Sequence, residues 1–138
     1  MTHPVPAELN GRVVPRGVWW HVYPLGFLAA ERTATPDQPI THRLPRLIPW
    51  LDYCVELGLQ GWVLGPLFAS ASHGYDTTDH FRVDPRLGDE RDLIDLLDAA
   101  HERGLKIVLD GVFNHVGRQF AQFQRLVIEG PDSPAAAW

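Results

Sequence analysis

Apolar positions along this chain gather into short uninterrupted runs and longer spaced stripes, and the two kinds alternate. The first run, Val18 to Tyr23 in "GVWWHVYPLGF", is aromatic and β-branched and is stopped by Pro24 and Gly26, which predicts a buried strand. The polar, Pro- and Thr-rich stretch "ERTATPDQPITHR" separates it from Leu44, Leu47, Ile48, Leu51 and Val55, which recur with helical spacing until Gly58 supplies a stop. A proline deep inside a helix costs about 3 kcal/mol but little in the first turn, where its amide has no partner anyway. Pro49 therefore sets the regular helix to start near Arg46, with Leu44 and Pro45 as its lead-in.

"GWVLGPLF" predicts a second strand through Trp62, Val63 and Leu64, punctuated by Pro66. The stretch "ASASHGYDTTDHFRVDPRLGDE" that follows is polar and without period, and reads as a long loop; loops of that length in compact domains are usually functional or disordered, and the aromatics here favour function. "DERDLIDLLDAAHERG" carries the clearest helix, with Asp89 to cap, Asp92 in the first turn, Leu93, Leu96, Leu97 and Ala100 as its stripe, and Gly104 as its end. The third strand, Leu105 to Val112, follows at once, and Ile107, Val108 and Leu109 are expected to sit in a core. Strands and helices that alternate with short helix-to-strand returns indicate a parallel sheet of βαβ units. The long loops all follow strands, so Tyr75, Asp76, Asp110, Asn114 and His115 are expected together at the strands' carboxyl ends, the face where such folds carry their chemistry. No repeat or low-complexity tract interrupts the pattern. Residues 1–16, with three prolines and little periodicity, read as an arm, leaving residues 17–138 as one domain.

Composition narrows this picture. At 45% hydrophobic and 21% charged the chain has enough apolar material for a packed domain, and at 138 residues one domain is the most it holds. A formal charge of -5 with scattered basic residues excludes a nucleic-acid partner, which would need clustered Lys and Arg. The lone Cys54 cannot form an intramolecular disulfide and is expected as a small buried hydrophobe. The start "MTHPVPAELNGR" has no basic and apolar leader pattern, and no run of about eighteen apolar residues occurs, so no membrane partner is expected and the cytoplasm is the expected compartment.

"KIVLDGVFNHVG" ends an apolar strand on an aspartate, an asparagine and a histidine. A buried carboxylate needs partners, so Asp110 reads either as a structural acceptor of loop amides or as part of a site. Asn114 alone would cap a turn, and His115 alone would be a satisfied structural histidine. Arriving together on one rim, acceptor, amide and imidazole match the hydroxyls of a polyol such as a sugar. Tyr75 in "SHGYDTTDH" adds an aromatic face for a sugar's C–H surface, with His73 and Asp76 beside it, although packing of the loop would also use it. Asp76, Asp79, His80, Asp110 and His115 include metal-ligand types without a standard spacing. Phosphate loops and GxSxG elbows are absent from the sequence.

These residues resemble the α-amylase superfamily, glycoside hydrolase family 13. "DGVFNH" resembles that family's first conserved region at the end of barrel strand three, "HGYDTTDHFRVDPRLGDERDLIDLLDAAHERGLKIVLD" its approach to that region, and "VWWHVYPLGF" its first strand. The tail "FAQFQRLVIEGPDSPAAAW" is similar to the neopullulanase, cyclomaltodextrinase and maltogenic amylase branch. The resemblance implies an α/β fold: the N-terminal portion, about three βα units, of a TIM (β/α)8 barrel. It implies retaining hydrolysis or transglycosylation of α-1,4 and sometimes α-1,6 glucosidic bonds, with an α-glucan or maltooligosaccharide as partner. Carried over by position, Tyr75 stacks on the sugar at subsite -1, His115 bonds its primary hydroxyl, His73 lies near the same sugar, Asp76 completes the loop motif and Asp110 helps order the centre. Asn114 matches a calcium ligand of many classical α-amylases as well as belonging to the sugar-binding set. No cofactor is expected, calcium being the one ion the resemblance leaves open.

None of the family's three catalytic carboxylates is in this sequence, which has no "GxRxD" segment for the nucleophile, no later glutamate region and no final "HD" region. A complete barrel takes about 250 residues. The expectation is thus an opening part of an enzyme, inactive and poorly folded by itself, with the rest of the barrel or a complementing chain as partner. Two other classes compete. A receiver-type signalling domain also ends strand three on an aspartate, but it needs an acidic pair after strand one, where this chain has "PLGF", and a late lysine, where its only lysine is Lys106. A non-catalytic sugar-binding remnant would use the same side chains without cleavage.

Overall fold

The structure, a computed structural model, describes residues 17–137 together with the backbone of Glu8–Leu9 (β1) and Arg12–Val13 (β2). β1 and β2 pair antiparallel, and the remainder of the expected arm lies outside the described residues. Trp19–Val22 (β3), Gly61–Leu64 (β4) and Lys106–Leu109 (β7) form the parallel sheet that the alternation predicts, in the order β3-β4-β7. Their register aligns Trp19, Gly61 and Lys106 at one end and Val22, Leu64 and Leu109 at the other, so the three chains leave the sheet side by side.

Helices Ile48–Glu56 (α2) and Glu90–Glu102 (α3) connect these strands. α2 starts two residues later than expected because Leu44–Leu47 winds as a 3-10 turn; Pro49, lacking an amide proton, then falls in the first turn, the place where a helix tolerates it. In α3 the Asp89 carboxylate accepts from the Asp92 amide while the Asp92 side chain accepts from the Asp89 amide, a reciprocal cap that fixes the helix start. Leu44, Leu47, Leu51, Cys54, Trp62, Leu64, Leu96 and Ala100 are all fully buried between helices and sheet. Cys54 is thus the core residue its composition suggested. The Trp62 indole N–H donates to its sulfur, and burial pushes the thiol's pKa up.

Three expectations are corrected. The stretch 69–90 is not a structureless loop: Phe68–Ser70 (β5) and Thr77–Val83 (β6) pair antiparallel across two register shifts, and those irregularities break the alternation that would have marked a strand. The third strand ends at Leu109, so Asp110 to Val112 lie beyond it, although the Asp110 amide still donates to Leu64 O at 2.9 Å. Val108 is 46% exposed and Lys106 is exposed, while Ile107 and Leu109 face the helices. Among the described residues β7 is a sheet edge and its second face carries no layer, so only one side of that apolar run is covered. Two helices were not anticipated: the single turn Pro24–Phe27 (α1) after β3, and Ala121–Glu129 (α4), none of whose residues is buried. No helix among the described residues is long and apolar enough to cross a membrane.

Candidate functional site

Everything that follows a parallel strand emerges at one end of the sheet, and there the loop 71–76 meets the segment after β7. His115 Nε2 donates to the carbonyl of Tyr75 at 2.9 Å. A carbonyl only accepts, so in this contact Nε2 carries a proton and donates. Burial first, and then the Asp110 carboxylate beside it, push the Tyr75 phenol above its ordinary pKa. The His73 ring lies 6.2 Å from that of Tyr75, its Nδ1 accepting from the Tyr75 amide at 3.2 Å. Tyr75, His73, Asp110 and His115 therefore share one rim, as the sequence implied; had Tyr75 and His115 pointed to opposite ends of the molecule, no site could be built from them.

Asp76 and Asn114 adjoin Tyr75 and His115 in the chain, and Asp79 and His80 follow in β6. Both Asp76 oxygens are engaged by Ser72, one by its amide at 3.1 Å and one by its hydroxyl at 2.6 Å. Burial pulls the Asp76 pKa upward, but these bonds outweigh it and hold the carboxyl below its usual range, so Asp76 works as the clasp of the loop. Asn114 is exposed. Asp79 accepts from the Phe81 amide at 2.8 Å, and His80 Nε2 donates to Val112 O at 2.8 Å. The metal alternative drawn from Asp76, Asp79, His80, Asp110 and His115 does not hold geometrically, since no three of them converge among the described residues. The set that does converge, His42, Asp89 and Asp92, has its carboxylates in the helix cap of α3.

Glycines set how closely these loops approach. Gly74 has φ +91, in the left-handed region, and a Cβ there would lie 3.0 Å from Pro66. Gly117 passes so near the other loop that a Cβ would come 2.4 Å from Asp76 O, and its amide donates to Thr77 O at 2.8 Å.

A second tier of residues, invisible to the sequence reading, holds the rim. Arg86, fully buried, forks onto Asp84 through Nε to Oδ1 at 2.9 Å and Nη2 to Oδ2 at 2.7 Å. Its Nη1 reaches Ser72 O at 2.7 Å and Glu31 O at 2.9 Å, and Nη2 reaches Ser70 Oγ at 2.8 Å. One guanidinium thus ties the loop after β3 to the loop bearing His73 and Tyr75. Tyr23 adds a second tie, its hydroxyl donating to His73 O at 3.0 Å. The signal available was "VDPRLG": an acid and a base flanking a proline, which a single turn brings side by side.

Parallel strands joined by helices, with polar side chains gathered where the strands end, define the α/β class, barrels and open sheets alike, that carries its chemistry at the strands' carboxyl ends. The description "Alpha amylase, catalytic domain" matches residues 22–138, and the chain belongs to that family. It is 34% identical over 135 residues to a cyclomaltodextrinase of Geobacillus thermopakistaniensis, covering 88% of this chain and 23% of that protein. It is 44% identical over 96 residues to neopullulanase 2 of Thermoactinomyces vulgaris, covering 69% and 16%. Among solved structures, an alpha-glucosyl transfer enzyme superposes with a TM-score of 0.71 at 32% identity, over 88% of this chain and 22% of that one. Cyclic alpha-maltosyl-(1→6)-maltose hydrolase from Arthrobacter globiformis superposes with a TM-score of 0.72 at 29% identity, over 88% and 30%. The fold is accordingly the N-terminal part of a TIM barrel, and the relatives' names fall in the branch that the tail resembled. The chain spans about a quarter of the length of the relatives it matches.

Proposed function

We propose that this chain contributes the sugar-binding wall of an α-glucan-acting glycoside hydrolase or transglycosylase that works with retention. The observation that carries the reading is the meeting of Tyr75, Asp110 and His115 at the carboxyl ends of the parallel strands. The half-exposed Tyr75 ring offers a flat C–H-binding face, and burial, then the neighbouring Asp110 carboxylate, raise the pKa of its phenol, which is uncharged at neutral pH. His115 is anchored through Nε2, and its Nδ1 is the atom offered to a sugar hydroxyl; Asn114 beside it in the sequence supplies an amide on the exposed loop.

Retaining cleavage requires one carboxylate to attack the anomeric carbon and a second, about 5 to 5.5 Å away, to protonate the leaving oxygen. The sequence holds neither the "GxRxD" segment nor the later glutamate region that would provide them. The 138-residue chain by itself is thus a binder without the cleaving pair, and its partner is polypeptide that supplies the remaining βα units. The open edges of β3 and β7 among the described residues support this, since unpaired parallel strands with one bare face seek pairing.

The test compares the 138-residue chain with a chain extended to the length of its relatives on maltotriose and cyclodextrin. Turnover is expected only from the longer one; hydrolysis by the short chain alone would overturn the assignment of the cleaving groups. Saturable maltooligosaccharide binding by both, with hydrolysis by neither, would favour a sugar-binding protein without catalysis.

A further inference from the structure

The segment after β7 carries Asp110 and His115, yet residues 111–116 form neither strand nor helix. Backbone bonds pin its two ends: the Asp110 amide donates to Leu64 O at 2.9 Å, and the Gly117 amide to Thr77 O at 2.8 Å. Between those points, among the described residues, two hydrogen bonds hold the segment, and both come from histidines. His80 Nε2, in β6, donates to Val112 O at 2.8 Å, and His115 Nε2 donates to Tyr75 O at 2.9 Å.

The two bonds are not equal. His115 is exposed, and in water a hydrogen bond adds little because water competes for both partners. Val112 is buried and His80 half-buried, and the His80 ring packs on those of Phe113 and Phe120, whose centroids lie 5.7 and 5.5 Å away. The firmer tie is therefore the one from His80. Its Nε2 is engaged by Val112 and its ring by two phenylalanines, so it acts on a ligand only through the segment that it holds.

We propose that His80 is a positioning residue: by anchoring Val112 it sets the path of the chain from Asp110 to His115 and keeps the His115 imidazole seated against the Tyr75 loop. The proposal rests on the reading that this rim holds an α-glucan. Without the His80 bond, the exposed His115 bond has to hold the segment alone, and a sugar has to order it on entering, which costs affinity. The expected loss is about three- to tenfold in kcat/KM, the worth of one ordinary hydrogen bond.

The test uses the chain extended to the length of its relatives, with maltotriose as substrate. It reads kcat/KM per folded protein, or maltotriose affinity if the extended chain binds without cleaving. His80→Phe keeps a ring for Phe113 and Phe120 but has no donor, and is expected to show the full loss. His80→Gln places an amide N–H near the position of Nε2 and should return toward the parent. Because His80 acts through His115, His80→Phe should change nothing further in a His115→Ala background, whereas a general loosening of the fold would lower both backgrounds alike. A His80→Phe chain equal to the parent, or a loss that persists undiminished beside His115→Ala, overturns the positioning role and leaves the glucan reading standing. If the extended parent neither binds nor cleaves maltotriose, or if His115→Ala changes nothing, the glucan reading falls and this proposal with it.

Discussion

Replacing Arg86 by Met keeps most of the side chain's length and removes its guanidinium. Arg86 and Asp84 are both essentially excluded from water, so the change leaves a carboxylate in the interior without its cation. Removing one member of a buried ion pair generally costs about 3 to 5 kcal/mol, because the remaining charge is neither hydrated nor paired. Here Asp84 keeps the Ser70 amide at 3.2 Å, the Ser70 hydroxyl at 3.0 Å and the amide of residue 86 at 3.0 Å, which argues for the lower end of that range. Against this, the carbonyls of Ser72 and Glu31 also lose a donor, at about 1 to 3 kcal/mol for each that stays dry. We therefore expect a loss of about 3 to 5 kcal/mol. The double variant Asp84→Leu with Arg86→Met removes the stranded charge and should recover part of it, since apolar replacements of buried pairs are often tolerated, while the two carbonyls stay unpaired. Urea unfolding followed by tryptophan emission, to which the fully buried Trp62 contributes, measures both variants against the parent. With two edges of the parallel sheet open among the described residues, the parent is expected to have little stability to spare, and Arg86→Met should then show exposed-tryptophan emission even without urea. An Arg86→Met chain with the parent's emission and midpoint, or a double variant no better than the single one, would refute the argument that Arg86 offsets a buried charge.

Two further outcomes follow from other contacts. A methyl at Gly61, in the middle strand, would lie 1.8 Å from Lys106 O, and the residue has φ +155, so Gly61→Ala should force β4 away from β7 and cost about 3 kcal/mol or more, read as a lowered urea midpoint. The His42 imidazole bonds Asp92 at 2.6 Å, and that hydrogen bond, then the charges of Asp92 and Asp89, raise its pKa above 6.5. A raised folded-state pKa stabilises the fold fully below 6.5 and loses that contribution as pH rises through the raised value. The parent's Tm should accordingly fall across that window relative to His42→Asn, and parallel Tm curves for the two chains would contradict the linkage.

Local chemistry already carried much of this molecule. Three apolar runs, two helical stripes, the cap at Asp89 and the demand of Pro49 for a first turn are short-range features, and each appears within a residue or two of its expected place except the end of the third run, which stops three residues early at Leu109. The rim was legible too: strand ends in a parallel sheet share one side, so Tyr75, Asp110 and His115 had to approach one another. Tertiary structure decided the rest. Whether Val108 is covered depends on which strand neighbours β7 and which layer lies over it, and an apolar run reads the same in either case. The β5–β6 ribbon escaped because its register shifts erase period two. That Asp76 serves the loop whereas Arg86 serves the whole rim could not be read from residue types, because a buried guanidinium takes its role from carbonyls 14 and 55 residues away, brought within reach only when the chain is folded.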